Sequence, residues 1–156
     1  MQYEHTQHGL WHLVVFGAAG VLFAAAWFAR EDPLAWIALT TAGGLMTVLA
    51  FAFMWLSVRD EVDCLAVRFG PLPLLGKRLR YADVTAAERD RTTLLDGWGI
   101  HWVPGRGWIY NIWGFDCVKL TLGRKVIRIG TDDADRLLEL LRSRVRLPQR
   151  HERTFA

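Results

Sequence analysis

Two stretches near the start of the chain restrict its fold more than anything else in the sequence. Residues 10–29 (LWHLVVFGAAGVLFAAAWFA) contain no Asp, Glu, Lys or Arg, and neither do residues 34–58 (LAWIALTTAGGLMTVLAFAFMWLSV). About twenty apolar residues suffice for a helix to cross the hydrocarbon core of a bilayer, so both stretches are expected to span. Only REDP separates them, which forces an antiparallel helical hairpin. Pro33 suits the first turn of the second helix, where its missing N–H leaves no bond unmade.

The tryptophans fit that reading. Trp11 and Trp27 bracket the first stretch and Trp36 and Trp55 the second. On helices these pairs would lie about 24 and about 28 Å apart, the spacing of two interfacial aromatic belts. Neither span holds an ionisable residue, which argues against an ion path or proton relay. Small residues four apart, Gly20 with Ala24, Ala38 with Ala42 and Thr40 with Gly44, are expected to let the helices approach closely. The N-terminal MQYEHTQH has no Lys or Arg, so the first span is read as an anchor and not as a cleaved signal peptide. His5, His8 and His12 would share one face of a helix, but no acidic or Cys partner is near in sequence and no metal site is assigned.

Charge is segregated as sharply as hydropathy. The formal net charge is +3, yet from Arg59 onward 18 Lys/Arg face 13 Asp/Glu. The segment after the second span carries Arg59, Arg68, Lys77, Arg78 and Arg80, against one Arg in the hairpin loop. The positive-inside rule then places the C-terminal domain and the N-terminus in the cytoplasm of a multi-pass inner-membrane protein. The division expected is a tail over 1–9, the hairpin over 10–58, a cytoplasmic domain over 59–147 and a basic tail over 148–156. That tail suits anionic headgroups. Nucleic acid is set aside, because no motif for it accompanies the charge.

From residue 61 onward short apolar runs alternate with turn signals, the pattern of an all-β unit. Strands are expected near 62–69, 75–81, 84–91, 98–103, 108–113, 117–122 and 125–130. One wet and one dry face per strand, as in Leu65, Val67 and Phe69 against Ala66 and Arg68, suits a small antiparallel barrel. The sequence TDDADRLLELLRSRVR reads as a closing helix capped by Thr131 or Asp132, with Ala134, Leu137, Leu138, Leu141 and Val145 as its apolar stripe. Cys64 and Cys117 lack a CxxC partner and read as reduced strand residues.

The order of two spans, then VRFGPL, YADVTAAE, GWGIHW and GFDCVKLTLGRKVIRIGTDDADRLLELL, resembles the bacterial pleckstrin-homology-like membrane proteins. The resemblance covers about residues 60–146 and the hairpin before them. It implies a membrane-anchored α+β fold: a seven-stranded, bent, partly open antiparallel barrel closed by a C-terminal helix. It brings no catalytic signature.

No P-loop, dinucleotide fingerprint, nucleophile elbow or HExxH is present, so no catalytic residue and no cofactor is assigned. His101 would need Asp96 or Asp116 to approach it in space. Arg68, Lys77, Arg78 and Arg80 loosely follow the basic spacing of headgroup-binding pleckstrin-homology domains, and are candidate contacts to an anionic surface. Their bland alternative is a solvated basic face. Residues 96–114 (DGWGIHWVPGRGWIYNIWG) crowd four of the eight tryptophans into a β-hairpin. Alternation puts Trp98, Ile100, Trp102, Trp108, Tyr110 and Ile112 in the core and leaves Trp113 outside as a candidate exposed contact.

The function expected is a non-enzymatic, membrane-integral module offering its β domain to a protein partner, a second copy or an anionic lipid. The alternative is a small-ligand module or enzyme using the Trp-rich sheet, which needs several indoles exposed on one face. An oligomeric channel or transporter component is disfavoured by the uncharged spans.

Overall fold

The computed structural model describes residues 3–71 and 75–145. The basic tail expected over 148–156, and the Pro148 stop of the last helix, lie outside the described residues. The chain runs β1 (Glu4–His8), α1 (Trp11–Phe28), α2 (Pro33–Ala52), β2 (Trp55–Glu61), β3 (Cys64–Phe69), β4 (Leu75–Arg80), β5 (Ala86–Arg91), β6 (Gly99–Val103), β7 (Gly107–Asn111), β8 (Asp116–Leu122), β9 (Lys125–Gly130) and α3 (Ala134–Arg144).

The two apolar helices hold 18 and 20 residues, about 27 and 30 Å, which matches a hydrocarbon core of about 30 Å. Both are long and apolar enough to cross a membrane, with mean hydropathy 1.8. They are apolar on every side, and side chains such as Val21, Phe28 and Leu34 have no protein cover. A helix of that kind is covered by protein or by lipid, and by length and composition these two are candidate membrane spans. Asp32 caps α2 by accepting from the N–H groups of Leu34 and Ala35 (3.0 and 3.3 Å), and Pro33 occupies the first turn as expected. The helices meet through small residues, though not those the spacing suggested. Gly20, Ala24, Ala38 and Gly44 are not buried, while Ala19, Ala26, Gly43 and Ala50 are, with Gly43 against the Phe23 ring. The i, i+4 spacing was read correctly as a motif but lies on the wrong side of the helix.

The N-terminal segment is not a free tail, nor a helix bearing three histidines. Residues 4–8 form β1, which pairs antiparallel with β2 from Glu4↔Arg59 to His8↔Trp55. The helical hairpin is therefore inserted between two adjacent strands of one sheet. Only Gly9–Leu10 and Phe53–Met54 join helix to strand on either side. The second apolar stretch was read as continuing to Val58, but α2 stops at Ala52 and Trp55 opens β2. Periodicity did not separate the two, because a buried strand is as apolar as a span.

The strands do not close into a barrel. One sheet has the order β1-β2-β3-β4 and the other β5-β8-β9-β7-β6, so nine strands replace the seven expected. The seven expected correspond to β3–β9; β1 and β2 are the additions. Nor is the pairing antiparallel throughout, because β7 runs parallel to β9. The link from β7 to β8 must cross the end of β9, which lies between them. Gly130 makes the crossing possible: a Cβ there would lie 2.1 Å from Asn111 Oδ1.

A single core joins the sheets and α3. Leu56, Val58, Leu65, Val67 and Phe69 supply one wall, Val118, Leu120, Ile127 and Ile129 the other. Leu137, Leu138 and Leu141 close it, and the expected stripe of α3 is buried along its length through Val145. The cap differs in detail. Asp133 stands at the N-cap without a side-chain cap bond, while the Thr131 hydroxyl accepts from the Asp133 N–H at 3.1 Å.

Candidate functional site

The β domain has two ends. The helix-proximal end contains the start of β2, β4 and β6 and the finish of β1, β3 and β7. Gly70, just after β3, shows how closely it approaches the helices. Its φ is +59°, and a Cβ would meet the Phe51 carbonyl oxygen at 2.3 Å. A Cβ on Gly9 would meet the Ile112 side chain at 2.9 Å and its carbonyl oxygen at 3.0 Å. The distal end holds the β6–β7 turn and the β8–β9 turn.

The four basic candidates are strung along β3 and β4 between these ends. Arg68, Arg78 and Arg80 share the outer face of the first sheet, while Lys77, opposite Val67, sits on the other face of edge strand β4. Arg78 and Arg80 do project together, with Leu79 opposed, as alternation requires. Most of their charge is answered within the domain. Glu61 pairs with both Arg68 (2.9 Å) and Arg78 (3.1 Å), and Arg80 grips Asp83 through two bonds of 2.9 and 3.1 Å. Lys77 makes no ion pair among the described residues. A shallow cavity of about 370 Å³ lies beside Arg68, Leu75, Lys77 and Arg78. The structure thus brings three of the four to one cavity and leaves Arg80 at the far end of the strand.

The tryptophans of residues 96–114 separate into two pairs. At the distal end Trp102 and Trp108 are directly opposed across the β6–β7 ladder. They occupy the core-facing side, as alternation predicts, but extend past the core and are 57% and 41% exposed. The expectation that Trp98, Trp102 and Trp108 are core residues is corrected: Tyr110 and Ile112 enter the core, Ile100 packs against it, Trp98 is half-buried outside it, and the hairpin tip overhangs it. At the helix-proximal end Trp98 stacks on Trp113, with ring centroids 5.8 Å apart and planes 17° apart. Trp98 also meets Trp11 of α1 at 5.4 Å. Trp113 is exposed, at 39%, as expected.

A polar cluster on the outer face of the second sheet was not foreseen. The link from β5 to β6 folds back over that face, so Ile109 and Asn111, on the side expected to be wet, are fully buried. Asn111 Nδ2 donates to the Gly114 carbonyl (2.9 Å) and to Thr92 Oγ1 (3.3 Å), and Asn111 Oδ1 accepts from the Trp113 N–H (3.2 Å). Asp96 accepts from Thr93 and pairs with Arg106 at 2.8 Å; Arg128 pairs with Asp90 at 2.8 Å. Burial alone would raise the Asp90 carboxyl, but the Arg91 N–H and the Arg128 guanidinium outweigh it and hold it below the usual carboxylate range. The partial signal was Ile109 and Val126, apolar residues on the face that alternation assigns to solvent.

No catalytic dyad forms at His101. Its Nε2 meets the backbone carbonyl of Asp96, whose carboxylate is engaged elsewhere. Two other buried titratable groups are shifted toward their neutral forms. Burial pushes the Cys117 thiol up to about 12, and burial with the Asp60 carboxylate raises the Tyr81 phenol strongly. Asp60 itself accepts from Tyr81 Oη (2.7 Å) and Arg144 Nη2 (2.6 Å), tying α3 to β2. Among the described residues no three His, Cys, Asp or Glu side chains converge as a metal site. His5 lies on β1 beside Asp132 (2.5 Å), His8 points to the other face against Trp55, and His12 is on α1. No protein-family model matches the chain, and no curated protein matches its sequence.

Proposed function

We propose that the chain is a membrane-anchored, non-enzymatic adaptor of pleckstrin-homology-like type that holds its β domain in the cytoplasm for a protein partner. The observation that carries this is the Trp102–Trp108 pair. Two opposed indoles stand largely uncovered at the end of the domain away from the helices, beside a core whose other members are buried. Indole is enriched at the centre of protein interfaces because it buries much apolar area with little side-chain entropy to lose. The positive-inside count supports the cytoplasmic orientation. The three-layer arrangement of two sheets and a C-terminal helix supports the family reading, while the parallel β7–β9 pair departs from it.

The test is a photoactivatable side chain at position 102 or 108 of the full chain in its own membrane. The expected outcome is a discrete protein adduct from either site and none from position 80. A domain that folds but yields no adduct at 102 and 108 overturns the reading.

The cavity beside Lys77 favours a second reading, an anionic headgroup site. Its test is native mass spectrometry of the full chain with added anionic lipid. Lys77→Glu should reduce bound lipid several-fold if that site exists, and leave it unchanged if the basic face only balances internal carboxylates.

A further inference from the structure

The helix-proximal indoles point to a different partner. We infer that Trp11, Trp98 and Trp113 form one continuous indole seat embedded in the headgroup layer, fixing the β domain directly on the bilayer. This rests on the reading of α1 and α2 as membrane spans, and the experiment below separates the two.

The argument begins with Trp11. It occupies the first turn of α1, where a spanning helix leaves the hydrocarbon for the headgroups, and it is 39% exposed. Indole prefers that zone because its ring is apolar and its N–H wants a partner. From Trp11 the aromatic surface continues without a gap into the β domain. One step of 5.4 Å reaches Trp98, and a second of 5.8 Å reaches Trp113. Phe115 packs on Trp98 from behind at 6.3 Å. The headgroup layer is roughly 5–8 Å thick on each side. The two steps together reach at most about 11 Å from Trp11, so Trp113, at the helix-proximal end of the domain, lies within a few ångströms of that layer.

Three features hold the seat at that depth. The strand-to-helix links are two residues long on each side, so the domain has no tether to swing on. Gly9 and Gly70 bring Ile112 and the end of α2 into backbone contact with their neighbours, closing the space between helices and sheets. Asn111 clamps the Trp113 N–H and the Gly114 carbonyl, so the turn carrying Trp113 is fixed from the sheet side. Trp113 is 39% exposed and, through Trp98, belongs to one chain of ring contacts with Trp11. Lipid covers both with the same chemistry.

The experiment uses the full chain reconstituted in vesicles containing lipids brominated near the headgroup. Fluorescence quenching is compared in wild type, Trp113→Phe, Trp98→Phe and Trp102→Phe. The seat predicts that Trp113→Phe and Trp98→Phe each remove quenchable emission. Trp102→Phe should instead remove only unquenched emission, so that the quenched fraction rises. Loss of unquenched emission in Trp113→Phe overturns the seat. Trp113→Phe keeps an aromatic ring at a surface position and its folding is checked by circular dichroism; position 113 labelled with a bromolipid-quenchable dye gives the same readout independently. Alkaline extraction separates the underlying reading. A chain released from the vesicles is not integral, and both ideas fall. A chain retained but unquenched at 113 is integral without the seat.

Discussion

The two ends of the β6–β7 hairpin use the same residue for different purposes. Trp98 and Trp113 at one end are stacked on each other, and Trp98 meets Trp11 of α1; Trp102 and Trp108 at the other end are opposed, exposed and remote from the helices. Trp102 lies three residues beyond Gly99, about 10 Å farther along the strand. What an exposed indole signifies here depends on which end of the sheet it occupies. Composition alone, which counts four tryptophans in one hairpin, merges a pair beside the apolar helices with a pair remote from them. It also suggests a single platform, whereas the four indoles fall into two separate pairs, Trp98 with Trp113 and Trp102 with Trp108.

The comparison holds only if both ends are fixed by one core, and Phe69 is where that is tested most severely. It is fully buried, with its ring 5.7 Å from Phe53 after α2 and 6.4 Å from Tyr110 on β7. Phe69→Ala is expected to cost about 3–5 kcal/mol, the range for a buried aromatic truncated to a methyl. Denaturant unfolding in detergent, followed by circular dichroism, measures it. A cost below about 1 kcal/mol would mean that the helix end and the second sheet are not joined through this ring.

Asn111 separates the two ends more selectively. Its removal leaves the Trp113 N–H without its partner and the Gly114 carbonyl with only the longer bond from Trp98 Nε1 (3.4 Å), in a part-buried setting, so Asn111→Ala is expected to cost about 1–3 kcal/mol. The consequence for the comparison is positional. The Trp113 turn loosens while Trp102 and Trp108, held by the β6–β7 ladder, keep their environment. Single-site fluorine labels on the tryptophans report this directly: the resonances of positions 98 and 113 should broaden or shift, and those of 102 and 108 should not. Equal changes at all four would show the hairpin to be one unit without distinct ends.

How much of this was legible in the sequence follows from what each signal measures. The seven strands of β3–β9 were readable to within a residue or two, because hydropathic alternation and turn residues are local properties. Leu65, Val67 and Phe69 fell on the face predicted, and so did Arg78 and Arg80. The N-terminal strand was not readable, since EHTQH has no apolar alternation and owes its structure to Trp55–Arg59 across the inserted helices. The Trp pairs were half legible. Alternation placed Trp102 and Trp108 on the core side correctly, but whether a core extends beneath them depends on where the opposite sheet ends. Asn111 was assigned to a wet face because nothing local announces that residues 92–98 fold back over it. The basic candidates were legible as a face but not as paired charges. Glu61 lies seven residues before Arg68, and only the β2–β3 hairpin brings it near.

The alkaline limb of stability probes the start of β1, at the end of that strand away from the helices, with a smaller effect. Burial, with Asp133 nearby, pushes the Tyr3 phenol up to about 12, above its ordinary value near 10. The folded state then keeps a proton that the unfolded chain has lost, so the stabilisation is complete below about pH 10 and declines as pH rises toward 12. Tyr81 and Tyr110 are raised in the same direction, chiefly by burial. Tyr3→Phe should therefore flatten part of the fall between pH 10 and 12 without changing the curve near neutrality. An unchanged alkaline limb would show that β1 is loose enough for Tyr3 to ionise freely.

The smallest effect on stability is expected at the distal indoles, and its smallness is the point. Trp102 packs against little, so Trp102→Ser is expected to shift unfolding by less than about 1 kcal/mol, near the range for surface changes. Trp98→Ser, by contrast, removes a ring stacked on Trp113 and against Trp11 and should cost more. A residue that contributes little to folding but offers a large apolar ring to solvent is one whose contribution must be sought in binding. The double variant Trp102→Ser/Trp108→Ser should accordingly unfold close to wild type and still lose the photo-adduct made from a probe at the neighbouring position 103. If instead the double variant unfolds several kcal/mol early, the pair belongs to the core after all. The difference between the two ends of the hairpin would then be one of degree, and the partner surface would have to be sought elsewhere on the domain.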